Sequence, residues 1–331
     1  MHDVARLAGV SHQTVSRVVN GAASIRPETR ARVQQAIDRL GYRPNTAARS
    51  LVKGRSATIG IIATDTTEFG PTSIHRTVEE AARDAGFFVS SVSLSAVTRG
   101  AFDAAVEHLV RLAVEGIVVI AGHDDALDVV RSREESLPFV LVEGDLSKSR
   151  RTVGVDQVLG ARLATRHLIE LGHTEIAHVT GPLDWAEARA RRDGWRAEMS
   201  AAGLCPPEPI AGDWSAASGF AAGQRIAADP GTTAVFSGND QMAVGVLRAL
   251  HESGLSVPGD VSVVGFDDIP ESGYLIPPLT TVRQDFPAVG RHAIEQLAAA
   301  IGGDEGSVIP LIDPELVVRA STAPPTRSRT A

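Results

Sequence analysis

Cysteine is nearly absent: Cys205 is the single one among 331 residues, so no disulfide can form within the chain and no cysteine pair offers a zinc motif. Long apolar runs are missing as well. No stretch reaches the ~18 consecutive apolar residues of a membrane-spanning helix. Residues 1–10 are broken by Arg6, so no secretory leader is expected either. A cytoplasmic protein with no membrane partner fits these absences. Enzyme signatures are lacking too: there is no G-x-G-x-x-G after a strand, no P-loop and no G-x-S-x-G. His108, His167, His173 and His178 are scattered without ligand spacing and read as solvated or structural. No cofactor, metal site or catalytic residue is expected, and an α/β enzyme is kept only as an alternative.

What the chain does have is charge separated by position. Residues 1–56 hold ten Lys/Arg against three Asp/Glu, a formal +7; with −8 for the whole chain, residues 57–331 carry −15. A basic head on an acidic body is expected where one end alone meets a polyanion. Within the head, apolar residues recur three and four apart: Val4, Leu7 and Ala8, then Val15, Val18 and Val19, then Val33, Ile37 and Leu40. That spacing predicts three short helices. Gly9 ends the first and Ser11 can N-cap the second, which gives a helix-turn-helix. Asn20 and Gly21 close the second; Pro27 and Glu28 open the third, and Gly41 and Pro44 end it.

The second helix presents His12, Gln13, Thr14, Ser16 and Arg17 near its start. Gln13 and Arg17 are four apart and share a face; Gln can pair with adenine and Arg with guanine in the major groove. Ser11, Thr14, Ser16 and Asn20 are short donors suited to phosphate oxygens. The competing reading is a helical subdomain with a solvated polar face. After it, Asn45 can cap a short helix through Lys53, with Gly54 as its end. Fewer than about ten residues make a marginal helix in water, so this one needs a partner.

From Ala57 short apolar runs alternate with helical stretches. Strands are expected at 57–63, 88–94, 116–121, 139–143, 152–156, 176–180, 209–213, 234–238, 261–266 and 279–284. Helices are expected at 73–86, 102–113, 124–133, 158–171, 186–202, 218–228, 241–253 and 286–301, with a last extended stretch over 308–321. Such alternation predicts two open parallel sheets with helices on both faces. Ligands bind such sheets beyond the carboxyl ends of the strands. Glu143 and Asp156 end strands there, Asn239 and Asp240 follow AVFSG, and Asp267 and Asp268 follow VSVVGF. Arg191 offers a planar fork of donors, and Trp214 an aromatic wall for a sugar ring. Each has a plainer alternative: Asn239 and Asp267 as helix or turn caps, Glu143 and Asp156 as solvated strand ends, Trp214 as core, Glu187 as solvated surface.

The segment DVARLAGVSHQTVSRVVNG (3–21) resembles the start of the LacI (lactose repressor) family of bacterial transcription regulators, and YRPNTAARSLVKGRS (42–56) resembles its hinge. The resemblance extends to about residue 323. It implies a helix-turn-helix headpiece over 1–44 and a hinge helix over 45–56. A periplasmic-binding-protein-like body follows over 57–323, its first lobe about 57–155 plus 286–313 and its second about 156–285 plus 314–323. The tail 324–331 is expected to be disordered. It also implies a homodimer on palindromic operator half-sites, a sugar effector between the lobes, and Leu51 as a wedge entering the minor groove. By the same resemblance Arg191 of RRDGW clamps the effector, with Asn239 of the N-D pair, Asp267 of G-F-D-D, Trp214, Gln284 and Glu143 beside it. LGHTEIAHVTGP (171–182) is a family signature of structural character.

Several positions depart from the family pattern. The residues that normally precede the first helix are missing, so either a longer start lies upstream or this helix frays, and Arg26 stands where a capping Ser or Thr is favoured. His12 replaces a Tyr of the family's namesake, Glu187 a serine that touches the sugar, Val155 an aromatic wall residue, and Glu143 an aspartate. The 64–70 segment also differs. The namesake's C-terminal leucine-heptad helix is absent, which favours a dimer over a tetramer. The expected function is therefore a repressor controlled by a small sugar or sugar derivative, with galactosides in range. A transporter-associated sugar-binding receptor is the alternative, opposed by the basic head.

Overall fold

The computed structural model describes residues 1–19, 22, 24–42, 56–64, 68–95, 98–120, 137–144, 151–304 and 310–326. Asn20, Leu51, the hinge helix and the helix expected at 124–133 lie outside the described residues. The chain divides into two compact units, Met1–Ser56 and Ala57–Ala331.

The first unit contains α1 (His2–Ala8), α2 (His12–Val19) and α3 (Pro27–Leu40). Gly9 at φ 64° and Gly41 at φ 56° end α1 and α3 in the left-handed region; this conformation costs a residue with a Cβ roughly 1 kcal/mol. The Thr14 N–H donates to Ser11 Oγ at 3.2 Å, the expected cap of α2. Neither Met1 nor Arg26 caps its helix through a side chain, and Pro27 sits in the first turn of α3. Val4, Ala5, Ala8, Val15, Val18, Val33 and Ala36 form the core. Leu7 and Leu40, expected on the buried stripe, are instead 44% and 46% exposed. The core closes over small side chains, and the longer leucines fall at its rim.

The second unit holds two sheets. The first has the order β2-β1-β3-β4-β5, formed by β1 (Thr58–Thr64), β2 (Phe88–Leu94), β3 (Ile117–Ile120), β4 (Phe139–Val142) and β5 (Thr152–Val153), all parallel. Its strands are apolar on both faces because both are covered. Ile59, Ile61, Val118, Ile120, Val140 and Val142 point to α4 (Phe69–Asp84) and α10 (Phe286–Ile301). Ile62, Ile117, Val119, Phe139 and Leu141 point to α5 (Arg99–Arg111). The period of two is thus kept, with apolar residues in both phases.

The second sheet comprises β6 (Ile176–Thr180), β7 (Ile210–Ala211), β8 (Ala234–Ser237), β9 (Ser262–Asp267), β10 (Thr280–Arg283) and β11 (Glu315–Val317), in the order β11-β10-β9-β8-β6-β7. Only β11 pairs antiparallel among these described strands. One face packs on α6 (Gln157–Glu170) and α7 (Ala186–Ala201), the other on α8 (Ala216–Ala227) and α9 (Asp240–Glu252). Both sheets are therefore doubly wound. The chain passes from the first sheet to the second after β5, returns with α10, and crosses again past an isolated parallel bridge between Val155 and Ile312.

Element limits differ from the sequence reading in places. α4 begins at Phe69 rather than at 73, and α5 at Arg99 rather than at 102. The strand expected over 152–156 stops at Val153, because Asp156 turns to cap α6 by accepting from the Leu159 N–H at 2.8 Å. Within the tail, the Thr326 hydroxyl donates to the Gly259 carbonyl at 2.6 Å. No described helix is long and apolar enough to cross a membrane.

Candidate functional site

On the headpiece, Ser11, His12, Gln13 and Arg17 are exposed along one side of α2, while Thr14 and Ser16 are half-buried. Ser11 Oγ lies 2.9 Å from Thr14 Oγ1, and His12 stacks on His2 with ring centroids 4.8 Å apart. Gln13 and Arg17 are thus exposed together on α2, and Ser11 also serves the helix start.

In the second unit, an open cleft with about 580 Å³ of empty space, its solvent-filled mouth included, forms a cavity beyond the carboxyl ends of both sheets. Glu143 follows β4, Trp214 follows β7, Asn239 follows β8, Asp267 ends β9, Gln284 follows β10, and Arg191 reaches in from α7; all six line this cavity. Glu143, Trp214 and Asp267 have φ of 63°, 72° and 108°. Non-glycine residues are uncommon there, and such strain clusters at sites that position side chains.

Gln157, at the start of α6, ties the groups together. Its amide nitrogen donates to Glu143 Oε2 at 3.2 Å and to Gln284 Oε1 at 2.9 Å, and its oxygen accepts from Arg191 Nε at 2.9 Å. Gln284 in turn donates to Asp267 Oδ1 at 2.7 Å, and Arg191 lies 3.7 Å from the same oxygen. The result is a closed ring: Gln157, Gln284, Asp267, Arg191 and back to Gln157. Arg191 also donates to the Gly238 carbonyl and stacks over the Phe266 ring, 3.8 Å from its centre. That face adds a cation–π attraction. Burial raises the Asp267 carboxyl to about 6, against the opposing pull of Arg191 and then of Gln284. Burial, then the neighbouring Glu187 charge, pushes Glu143 above the usual carboxylate range. Glu68, at the cavity edge, is raised by burial and then by Asp267 and Asp213.

Two roles coincide at some positions. Asn239 Oδ1 caps α9 by accepting from the Met242 N–H at 2.8 Å, while its amide donates to the Trp214 carbonyl at 3.1 Å. Trp214 belongs both to the core and to the cavity wall, its indole nitrogen buried without a partner. Asp268 is structural, held by Arg283 and Arg319 at 2.7 and 2.6 Å. Asp240 is structural as well, accepting from Ile269, Ser272 and Thr281.

Glu187 is a correction. The sequence reading placed it on solvated surface, yet it is 8% exposed, lines the cavity, and accepts from the Gly144 N–H at 3.2 Å. The first turn of α7 faces the cleft, so its acidic residue cannot reach bulk water. Gln157, Phe69, Trp185 and Phe286 also line the cavity without having been singled out. Gln157 alone had a signal: it directly follows Asp156 at a strand end. Three of the scattered histidines have structural partners: His178 is buried between Phe236 and Trp195, His173 hydrogen-bonds Thr233, and His167 hydrogen-bonds Thr322. Among the described residues no His/Cys/Asp/Glu group could hold a metal ion.

Residues 1–45 match the family described as bacterial regulatory proteins, lacI family, and residues 165–322 match the periplasmic binding protein-like domain. The lactose operon repressor of Escherichia coli (strain K12) is 35% identical over 330 residues, covering 98% of this chain and 91% of that one. This chain belongs to the LacI family. The ribose operon repressor of Escherichia coli (strain K12) is another relative of this LacI-family protein, 36% identical over 303 residues, covering 90% and 91% of the two chains. A crystal structure of the Lac repressor dimer bound to operator and the anti-inducer ONPF superposes with a TM-score of 0.87 at 35% identity, covering 97% of this chain and 98% of that one. The LacI-family assignment makes the chain a DNA-binding transcription regulator with a periplasmic-binding-protein-like body. It sets aside both the transport receptor and the enzyme.

Proposed function

We propose that this regulator is a cytoplasmic, dimeric repressor whose hold on operator DNA is controlled by a small sugar or sugar derivative in the cleft. The single observation that carries this reading is the convergence of Arg191, Asn239, Asp267, Gln284 and Glu143 with the Trp214 wall on one cavity. Few polar groups aimed at one point, beside an aromatic face, suit a ring with several hydroxyls. Relatives named as lactose and ribose operon repressors support a sugar, and galactosides stay within range. On the headpiece, Gln13 and Arg17 read base edges in each palindromic half-site. His12 stands beside them, and Ser11, Thr14, Ser16 and Asn20 hold phosphates. Leu51 wedges into the minor groove. The effector acts by binding one of two states of the dimer more tightly, shifting it only as far as those affinities differ.

A duplex selected from a random pool by the full-length protein provides the operator for a test. A sugar that raises the melting temperature through mass action should change affinity for that duplex, read by fluorescence anisotropy. Leu51→Ala should weaken duplex binding and leave sugar affinity alone. Duplex affinity indifferent to every stabilising sugar would overturn the proposal.

A further inference from the structure

Glu143 and Glu187 stand together in the cleft wall, each 8% exposed. Glu143 accepts from the Val155 N–H at 3.3 Å and from the Gln157 amide at 3.2 Å. Glu187 accepts from the Gly144 N–H at 3.2 Å through one oxygen, and its other oxygen is buried with no partner. Every one of these donors is neutral. Arg191, the one guanidinium among the described cavity-lining residues, directs its nitrogens to Gln157, the Gly238 carbonyl and Asp267. A second cavity of about 340 Å³ is lined by Glu143, Gln157 and Glu187 as well. The pair thus lines both spaces.

Resting on the reading of the cleft as the effector site, we infer that the effector carries a protonated amine seated against Glu143 and Glu187, so that it is an amino sugar or amino polyol. An ammonium is donor-only, with three N–H groups. Seated between the two carboxyls it would give an N–H to each, and charge-assisted bonds of this kind are roughly twice as strong as neutral ones. A neutral hydroxyl has one proton to give and leaves two buried carboxyls facing each other. A phosphate or carboxylate would bring further negative charge to a wall of carboxyls that burial already makes costly to ionise. The Trp214 ring, on the same cavity, remains as an apolar wall for the sugar ring.

Calorimetric titration of the full-length protein near neutral pH tests this. The probes are galactosamine, glucosamine and 6-amino-6-deoxygalactose, each beside its hydroxyl parent and its N-acetylated form. At least one amine should bind about 10-fold or more tightly than its parent, a difference of ~1.4 kcal/mol, and acetylation should abolish the advantage. Glu187→Gln should bring the amine-to-parent ratio close to one, with the melting temperature reporting that the variant is folded. Glu143→Gln is the second variant and should act the same way. Parents that bind as tightly as the amines overturn the inference and leave the cleft an effector site. An amine preference that survives both substitutions also overturns it. If no amine, parent or acetylated form binds, the effector reading falls, and this inference falls with it.

Discussion

The Arg191 guanidinium is 6% exposed and meets Gln157, the Gly238 carbonyl and Asp267 at once. Arg191→Ala would leave Asp267 buried beside no cation, and breaking a buried pair from one side costs ~3 kcal/mol or more. The urea midpoint of the body should fall accordingly, and effector affinity by about 100-fold, as expected for losing a charged, multiply bonded anchor. Arg191→Lys keeps the charge without the planar fork; it should recover part of the stability and little of the affinity. A second test concerns Asp240, which burial, then the Asp267 charge, raises from 3.8 to about 7. The folded chain binds this proton more tightly than the unfolded chain. Its contribution to stability is therefore full below about pH 4 and is lost as pH rises through 7. Asp240→Asn should flatten the decline in unfolding free energy between about pH 5 and 7, where one group supplies at most ~1.4 kcal/mol per pH unit. An unchanged slope would show that the other raised carboxyls, Asp267, Glu143 and Glu68, account for it. Side chains at strand ends, such as Glu143, Asn239 and Asp267, were legible in the sequence because the fold class assigns that location to ligands. Glu187 was not, and Gln157 only through its place next to Asp156. Each sits in the first turn of a helix, where a polar residue usually meets water, and only the approach of α6 and α7 to the cleft buries them.

Helix pairing in the second sheet layer depends on what side chains leave out. Along α8 and α9, Gly219 lies against the Met242 backbone, Gly223 against Val246 and Ala249, and Gly245 against Ala216. A Cβ at Gly245 would stand 2.0 Å from the Ala216 carbonyl oxygen and 2.4 Å from the Phe220 nitrogen, both backbone atoms. Neither can rotate aside, so Gly245→Ala must separate the helices. Overpacking of this kind costs ~1–3 kcal/mol or more, which lowers the melting temperature by about 2–4 °C per kcal/mol in a chain of this size. The capping Asn239 opens α9, so the same variant should also loosen effector binding. Helix and strand periods announced nearly all the described elements, because a doubly wound body repeats one pattern. Limits were less legible. Gly70, Pro71 and Gly100 look like breakers, yet proline is tolerated in a first turn and Thr98 caps α5 by accepting from the Ala101 N–H at 3.3 Å. Both helices therefore start earlier than their apolar spacing indicates.

Charge divides the molecule into a head of +7 and a remainder of −15. The head should bind DNA with a strong salt dependence, log affinity falling with log salt by about 0.9 for each phosphate neutralised. Gln13 is neutral and Arg17 is not, so the two can be separated by experiment. Gln13→Ala should leave the salt slope unchanged and relax preference at one base pair by ~1–3 kcal/mol. Arg17→Ala should relax a neighbouring position and, where its charge also neutralises a phosphate, reduce the slope by about one. Neither residue lines the cleft cavity, so the proposed effector should still change duplex affinity by the same factor in both variants, within the ~5–150-fold range typical of coupled sites. Linkage then requires the duplex to change effector affinity by that factor too. Anisotropy supplies the first ratio and calorimetry in the presence of duplex the second. Uniform weakening of Gln13→Ala across all sequences would remove α2 as the base reader. An effector ratio that collapsed in the head variants would mean that the two units are joined by more than a shared equilibrium.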